Sequence, residues 1–260
     1  MTRRSDVCRL GISKLISPIA IAVSATLTAS TLTLSPAAGA EPRAVIELFT
    51  SQGCSSCPSA DRVLGELARD PSLVTLSLNV DYWDYIGWKD TLALHGHTTR
   101  QQAYARTRGD REVYTPQAVV NGVVHVLGSD KAAIERAIRL TREKVQPLTV
   151  PVTLKIADGK ATVTLPANAN AKRGEVWLCP VTSQISVAVG RGENRGRELT
   201  YHNVVRGWTK LGDYTGKAET FSVPLSSFAG KDIDRLAVVV QNGEPSRPSV
   251  MVGAAVASIR

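Results

Sequence analysis

A pair of cysteines three positions apart constrains this chain more than any other feature. Cys54 and Cys57 lie between the apolar, β-branched run AVIELFT, which predicts a buried strand, and the run PSADRVLGELARD, whose apolar residues recur at helical spacing. Pro58 suits the first turn of that helix. A cysteine between a strand and a helix faces unpaired backbone N–H groups and the positive end of the helix dipole, and both stabilise a thiolate.

The spacing therefore favours thiol chemistry at this pair. Cys57, one turn after Cys54, can attack a mixed disulfide formed at Cys54 and release the partner. The intervening Ser55-Ser56 is small and uncharged, so we expect open access to the first sulfur. No organic cofactor is predicted, because no phosphate-cradling glycine motif accompanies a strand–helix turn.

Two other roles for the pair stay open. A closed zinc site needs four ligands, and apart from the pair and Cys8 near the start the chain offers only Cys179 and four scattered histidines. Thiolate with a nearby imidazole would also suit Cu(I) or zinc, which makes His95 and His97 candidates. A structural disulfide closing so short a loop would remove little chain entropy. Cys179 has apolar neighbours, which predicts a buried, inert thiol; the alternative is a resolving thiol for Cys54.

Residues 1–40 have the pattern of a secretory signal peptide. Basic residues precede a mostly apolar run, which ends in SPAAGA, where Ala38 and Ala40 match a small-x-small cleavage site. Ser, Thr and Pro interrupt the apolar run, so cleavage after Ala40 is favoured over a stable membrane anchor. We therefore expect a periplasmic or secreted protein, in a compartment where disulfides persist.

The charge of the chain argues against nucleic acid as a partner. The formal net charge is +8, and removing the four basic residues and Asp6 of the signal segment lowers it to +5. The remaining charges are interspersed, without a long basic tract. A moderately basic exported protein is the simpler interpretation.

The pattern of predicted secondary structure in the remaining chain changes near Pro147 and Pro151. From 44 to 145, strand and helix patterns alternate, with a hairpin signal at Asn121-Gly122. Beyond the prolines, short strand candidates are separated by Gly, Asn, Asp and Pro. The predicted fold is an α/β domain over residues 41–146 followed by an all-β, antiparallel sandwich-like domain over residues 147–260.

The segment DYWDYIGWKD concentrates aromatic residues in a chain that is only 5% aromatic. It follows the second predicted strand, at the edge where open α/β sheets place ligands. Asp81, Trp83 and Trp88, together with Ser51 and Gln52 before the cysteine loop, are therefore candidates for the walls of a substrate groove. A loop fixed by aromatic packing is the alternative.

Residues 190–208, GRGENRGRELTYHNVVRGW, concentrate arginine. Guanidinium groups suit carboxylate or phosphate partners, so this segment is a candidate surface for an anionic ligand or a partner protein. The alternative, which we favour, is a solvated loop whose charges pair locally and brace the first half of the chain.

Two family resemblances follow from these motifs. ELFTSQGCSSCPSAD, with VYTPQAVVNGVVHVLG downstream, resembles the thioredoxin-like superfamily. That resemblance implies a cis-proline at Thr115-Pro116 that faces the cysteine pair and leaves the backbone beside Cys54 open to a substrate chain. FTSQGCSSCPSAD, DYWDYIGWKD, YTPQAVVNG and GRELTYHNVV together resemble the secreted bacterial family called "domain of unknown function 1223", over nearly the whole mature chain. The aromatic–Gly–Pro surroundings usual in thioredoxins are absent.

The sequence thus predicts an exported thioredoxin-like thiol–disulfide oxidoreductase that acts on a protein or on a small thiol or disulfide. Cys54 is the expected attacking thiolate and Cys57 the resolving thiol. By the resemblance, Thr115 and Pro116 shape the substrate contact. A periplasmic copper- or zinc-binding protein, or a non-enzymatic scaffold, is the alternative.

Overall fold

The structure, a computed structural model, describes residues 41–168, 170, 173–228 and 232–259. The predicted signal peptide, residues 1–40, lies outside this part of the chain. The helices within it are α1 (Cys57–Leu67), α2 (His95–Arg108) and α3 (Lys131–Lys144). None of these described helices is both long enough and apolar enough to cross a bilayer.

Strands form most of the regular structure. In chain order they are β1 (Ala44–Thr50), β2 (Leu73–Asn79), β3 (Gln117–Val120), β4 (Val124–Leu127), β5 (Thr153–Ala157), β6 (Lys160–Leu165), β7 (Gly174–Ala188), β8 (Glu198–Val205), β9 (Thr209–Tyr214), β10 (Glu219–Pro224), β11 (Arg235–Glu244) and β12 (Arg247–Ser258).

Nine of the strands form one mixed sheet with the order β12-β11-β7-β8-β2-β1-β3-β4. The ninth strand, β9, pairs with the first residues of β7, while β8 pairs with the last residues of β7. The β1–β2 and β2–β8 pairs are parallel, and the other pairs are antiparallel. Strands β10, β6 and β5 form a separate antiparallel sheet.

Strand β1 is buried along its whole length because helices cover both faces of the sheet there. Ile46 and Leu48 pack against apolar residues of α1 and α3. Val45 and Phe49 point to the opposite face and pack in a cluster that includes Tyr104 of α2. Alternate side chains of β1 therefore belong to two different hydrophobic clusters, one on each face of the sheet.

The predicted fold class, an α/β thioredoxin-like domain followed by a separate all-β domain, is wrong. Strands hold 42% of the described residues and helices 22%, and one large mixed sheet joins the two halves of the chain. Strand β8 from the second half pairs with β2 from the first, at Ser77 and Val204. A single hydrophobic cluster contains Phe49 from the first half and Cys179 and Val239 from the second.

The sandwich-like feature that the sequence predicts is local. The small sheet packs against the β7–β11 part of the large sheet through a shared apolar cluster that includes Val163, Leu178 and Val238. The division of the chain at residues 146 and 147 stays a prediction.

The junction between β2 and β8 is reinforced by side chains and by a close helix contact. Asn203 donates from Nδ2 to the hydroxyl of Thr75 at 2.8 Å, and Arg235 donates to Asn203 Oδ1 at 3.1 Å. Gly65 of α1 faces His202 of β8 so closely that an added Cβ would lie 2.5 Å from the imidazole ring. Helix α1 can therefore approach β8 only because residue 65 has no side chain.

Candidate active site at the Cys54–Cys57 disulfide

Cys54 and Cys57 form a disulfide in the loop between β1 and α1, with their Cα atoms 5.4 Å apart. The helix begins at Cys57, and Ser56 is its N-cap residue. The Cys57 N–H donates to the Cys54 carbonyl at 3.2 Å. The first helical turn therefore contains Cys57, while Cys54 lies just outside the helix.

The disulfide is covered. Cys54 is 1% exposed and Cys57 is 0% exposed, although Ser55 and Ser56 between them are exposed. The expectation of open access to Cys54 is therefore wrong for this conformation. Ser55 and Ser56 are themselves exposed, but their small size does not uncover the sulfurs.

Thr115 and Pro116 lie beside the pair. The peptide bond between them is cis, and the Thr115 carbonyl oxygen lies 3.8 Å from Cys54 Sγ. The Thr115 hydroxyl accepts a hydrogen bond from Trp83 Nε1 at 2.8 Å. The fold thus brings this peptide next to the first cysteine, and its role in substrate contact stays a prediction.

The aromatic segment forms one side of the cover. Trp83 and Ile86 pack on Gly53, where an added Cβ would lie 2.9 Å from Trp83 Cβ. Trp88 donates from Nε1 to Gln52 Oε1 at 2.8 Å. Tyr85 stacks on Trp83 with 6.4 Å between ring centroids and is 82% exposed. Trp83 and Trp88 therefore lie at the disulfide loop, as a groove requires, and both also brace that loop.

The other three groove candidates have mainly bracing contacts. Ser51 and Gln52 are fully buried. Ser51 Oγ accepts from the Gly53 N–H at 3.1 Å, and the Gln52 N–H donates to Asp90 Oδ2 at 2.8 Å. The Asp81 carboxylate instead accepts hydrogen bonds from Thr98 and His95 in the first turn of α2, so it holds that helix rather than the disulfide loop.

A buried carboxyl group lies one helical turn after Cys57. Asp61 is 4% exposed and accepts a hydrogen bond from the Thr50 hydroxyl at 2.8 Å, while its second oxygen has no partner among the described residues. Burial raises the pKa of Asp61 from 3.8 to about 8. Sequence reasoning missed this residue, although an acidic residue on the apolar face of an amphipathic helix is a readable signal.

The loop between β7 and β8 forms the other side of the cover. Asn194 is fully buried, and its Nδ2 donates to the carbonyl oxygens of Gln52 and Cys54, both at 2.9 Å. The Glu193 carboxylate accepts from the Ser55 N–H at 3.0 Å. The sequence pointed to the arginines of this segment, but the residues that contact the disulfide loop are Glu193 and Asn194.

The metal-ligand candidates do not converge. His95 contacts Asp81, whereas His97 is buried and its Nδ1 contacts the Asn79 carbonyl at 3.0 Å. Burial lowers the pKa of His97 to about 4. Cys179 is a free, buried thiol in the core. Across the described ranges, no group of three or more His, Cys, Asp or Glu residues is arranged to hold a metal ion.

Comparisons with known proteins identify a family. The family model described as "Protein of unknown function (DUF1223)" matches residues 45–241. The crystal structure of protein AGR_C_4864 from Agrobacterium tumefaciens is similar, with a TM-score of 0.76 and 34% identity over 85% of this chain and 96% of that chain. HBP35 of Porphyromonas gingivalis shares the fold at a TM-score of 0.55 and 14% identity, over 84% of this chain and 76% of its own. No curated protein matches. With most of its length matched by the family model, this chain belongs to the DUF1223 family.

Proposed function

We propose that this protein is an exported thiol–disulfide oxidoreductase that works through Cys54 and Cys57 in the manner of thioredoxin-like proteins. The observation that carries the proposal is the disulfide between a strand end and a helix start, with the Thr115 carbonyl oxygen 3.8 Å from Cys54 Sγ. The substrate is a protein or a small thiol or disulfide.

The reaction from the disulfide form is a two-step exchange. A substrate thiolate bonds to Cys54 Sγ while the Cys54–Cys57 bond breaks and Cys57 leaves as a thiolate. The second thiolate of the substrate then bonds to the substrate sulfur of the mixed disulfide, and Cys54 leaves. Two electrons pass from the substrate dithiol to the protein, and the two protons lost by the substrate end on the two cysteines. The reverse sequence reduces a substrate disulfide.

The surroundings assist the leaving groups. Cys57 lies in the first turn of α1, where the helix dipole and free N–H groups stabilise a thiolate. Asp61 lies one turn further along the same helix, and with a pKa of about 8 it can give or take a proton near neutral pH. Thr115 and Pro116 border Cys54, the sulfur that a substrate reaches first in this scheme.

A second candidate function is a non-enzymatic scaffold in which the disulfide is only a crosslink. The burial of both sulfurs favours it, because an external thiolate cannot reach either atom unless a covering segment moves. Export is part of both proposals. It rests on the signal-like pattern of residues 1–40 and on the persistence of disulfides in oxidising compartments.

Trapping of mixed disulfides tests the redox proposal. Cys57→Ser leaves Cys54 able to attack but removes the resolving thiol, so adducts with a peptide disulfide should accumulate. Cys54→Ser should form at least about tenfold fewer adducts, because Cys57 lies within the first turn of α1, whereas Cys54 precedes the helix and borders Thr115. Wild type should reduce a fluorescence-quenched peptide disulfide with dithiothreitol as the electron source.

Cys179→Ser is the matched control and should keep full turnover, because that thiol lies in the core. Adducts identified by mass spectrometry should map to residue 54. The scaffold proposal replaces the redox proposal if neither cysteine variant captures a partner and wild type does not turn over the peptide disulfide.

A further inference from the structure

The loop of residues 189–197 between β7 and β8, which we call the strap, is a compact unit. The Val189 N–H donates to the Arg197 carbonyl at 2.9 Å, and the Gly196 N–H donates to the Val189 carbonyl at 2.8 Å. Both bonds close the base of the strap within the strap itself. Its remaining residues can therefore leave the disulfide loop without breaking the β7–β8 pairing.

The strap bonds to the backbone of the disulfide loop rather than to its side chains. Asn194 supplies an amide donor to two carbonyl groups, those of Gln52 and Cys54. Glu193 supplies a carboxylate acceptor to the Ser55 N–H. Gln52, Cys54 and Ser55 thus present two acceptors and one donor, and the strap bonds to all three.

An amide N–H and a carbonyl oxygen are the groups that any polypeptide backbone carries. An extended chain laid along residues 52–55 would offer the same donors and acceptor that Asn194 and Glu193 now supply, by the pairing used when a peptide adds to an exposed backbone edge. A small thiol such as mercaptoethanol has no amide N–H to offer the two carbonyl groups.

We propose that the strap is an internal substitute for substrate, which occupies the backbone groups that an extended polypeptide uses when it docks beside Cys54. This inference rests on the proposed function and narrows its substrate class to polypeptides. The strap keeps the disulfide closed, and a polypeptide that takes over its three hydrogen bonds opens it. The Asn194 amide is the main latch because it is buried and bonds twice.

The glycine-rich side of the strap fits this role. Gly190 and Gly192 rest on Trp88, and Gly192 also contacts Ile86, with added Cβ positions only 2.9 to 3.6 Å from those side chains. The contact is apolar, without a hydrogen bond from the glycines to the indole among the described residues. The strap is therefore held in its closed position by three hydrogen bonds to the backbone of the disulfide loop and by this apolar contact.

The test compares how fast two thiols reduce the protein's own disulfide. Mercaptoethanol is the small thiol, and an unstructured peptide of about eight residues with one central cysteine is the polypeptide. Alkylation and mass spectrometry follow the loss of the Cys54–Cys57 bond in wild type, Asn194→Ala and Glu193→Ala. Arg191→Ala is the matched control, because Arg191 is an exposed strap residue outside the three hydrogen bonds.

We expect Asn194→Ala to raise both rates about tenfold, because the strap has to leave before either thiol reaches Cys54. At equal thiolate concentration the peptide should reduce the disulfide at least about tenfold faster than mercaptoethanol, because only the peptide pairs with the backbone groups that the strap vacates. Glu193 is exposed, so its alanine variant keeps the fold and should show a smaller rise with the same preference. Arg191→Ala should stay within about twofold of wild type for both thiols.

Equal rates for the two thiols in Asn194→Ala, at equal thiolate concentration, would overturn the substrate class and reduce the strap to a steric cover. Unchanged rates in both strap variants would overturn the latch altogether. These rates concern the protein's own disulfide, so they are measurable whether or not the protein turns over a substrate, and a failure of the proposed function is visible separately in the trapping experiment.

Discussion

The two cysteine environments of this protein differ in what covers them. The Cys54–Cys57 disulfide lies under loop residues that hold it through a few hydrogen bonds. Cys179 lies on β7, which pairs with β11 along one side and with β8 and β9 along the other, inside the cluster that joins both halves of the chain. Both sites are equally buried, but loops cover the first, whereas paired strands enclose the second.

Burial alone therefore does not separate a reactive cysteine from an inert one. The number of native contacts that must break to expose the sulfur separates them, because local opening costs far less than global unfolding. Burial also raises the pKa of the Cys179 thiol, which lowers its reactivity further.

Thiol accessibility should show the largest contrast. After reduction of the native protein, we expect iodoacetamide to modify Cys54 about a thousandfold faster than Cys179, because Cys179 reacts only after global unfolding. Alkylation followed by peptide mapping measures each site. Comparable rates at the two residues would show that the core around β7 opens as readily as the loops.

Replacement of Arg100, whose charge lies near Cys179, should give the next largest effect, a loss of stability. Arg100 donates to the fully buried Glu47 carboxylate at 2.7 Å and lies 4.5 Å from the Trp208 ring. Arg100→Met leaves that carboxylate buried without its cation, so we expect a loss of about 3 kcal/mol in the free energy of unfolding. Urea denaturation measures the loss.

Lys131→Met is the matched control for this prediction. It breaks the exposed ion pair with Glu66, which should cost far less, because water and salt screen an exposed pair. The double variant Glu47→Gln, Arg100→Met should recover part of the stability, since no lone buried charge is left. A cost for Arg100→Met no larger than that of the control would contradict the assigned role of the Glu47–Arg100 pair.

The buried Asp61 carboxyl should give an effect on stability that depends on pH. The folded pKa of Asp61 is about 8 against 3.8 when unfolded, so the folded state holds an extra proton between about pH 4 and pH 8. Stability from this group is complete at low pH and falls as pH rises through that window, by at most about 1.4 kcal/mol per unit. Asp61→Asn should remove this slope and be about 1 kcal/mol or more stabler than wild type above pH 8.

Thermal unfolding at a series of pH values measures the Asp61 effect. Glu66→Gln is the control, because Glu66 is an exposed carboxylate on the same helix and the hydrogen bond from Lys131 lowers its pKa rather than raising it. Parallel stability curves for wild type and Asp61→Asn from pH 4 to 8 would show that the Asp61 carboxyl is ionised throughout.

Local elements were predictable from the sequence, because periodicity and turn residues report them directly. The run AVIELFT corresponds to β1, and the helix predicted after Cys57 corresponds to α1. The pairing of β8 with β2 was not predictable. It depends on one bridging position and on side chains such as Asn203, and no local pattern encodes which strand edge they meet.

The same division applies to the candidate site. The cysteine pair and the tryptophans could be chosen from residue type and spacing, and Thr115-Pro116 from the family resemblance. Asn194 could not, since its function as a cover depends on contacts with residues about 140 positions earlier. The predicted fold class was wrong for the same reason, because the local pattern of strand and helix signals does not show that the two halves of the chain share a core.

The glycine at position 65 determines how closely α1, the helix that begins at Cys57, packs against β8. Gly65 lies about two helical turns after Cys57 and touches His202 on β8, the strand into which the strap continues. An alanine there would favour the helix by about 1 kcal/mol in isolation, yet it would push α1 away from β8. The absence of one methyl group thus lets α1, which begins at Cys57, pack closely against the strand into which the strap continues.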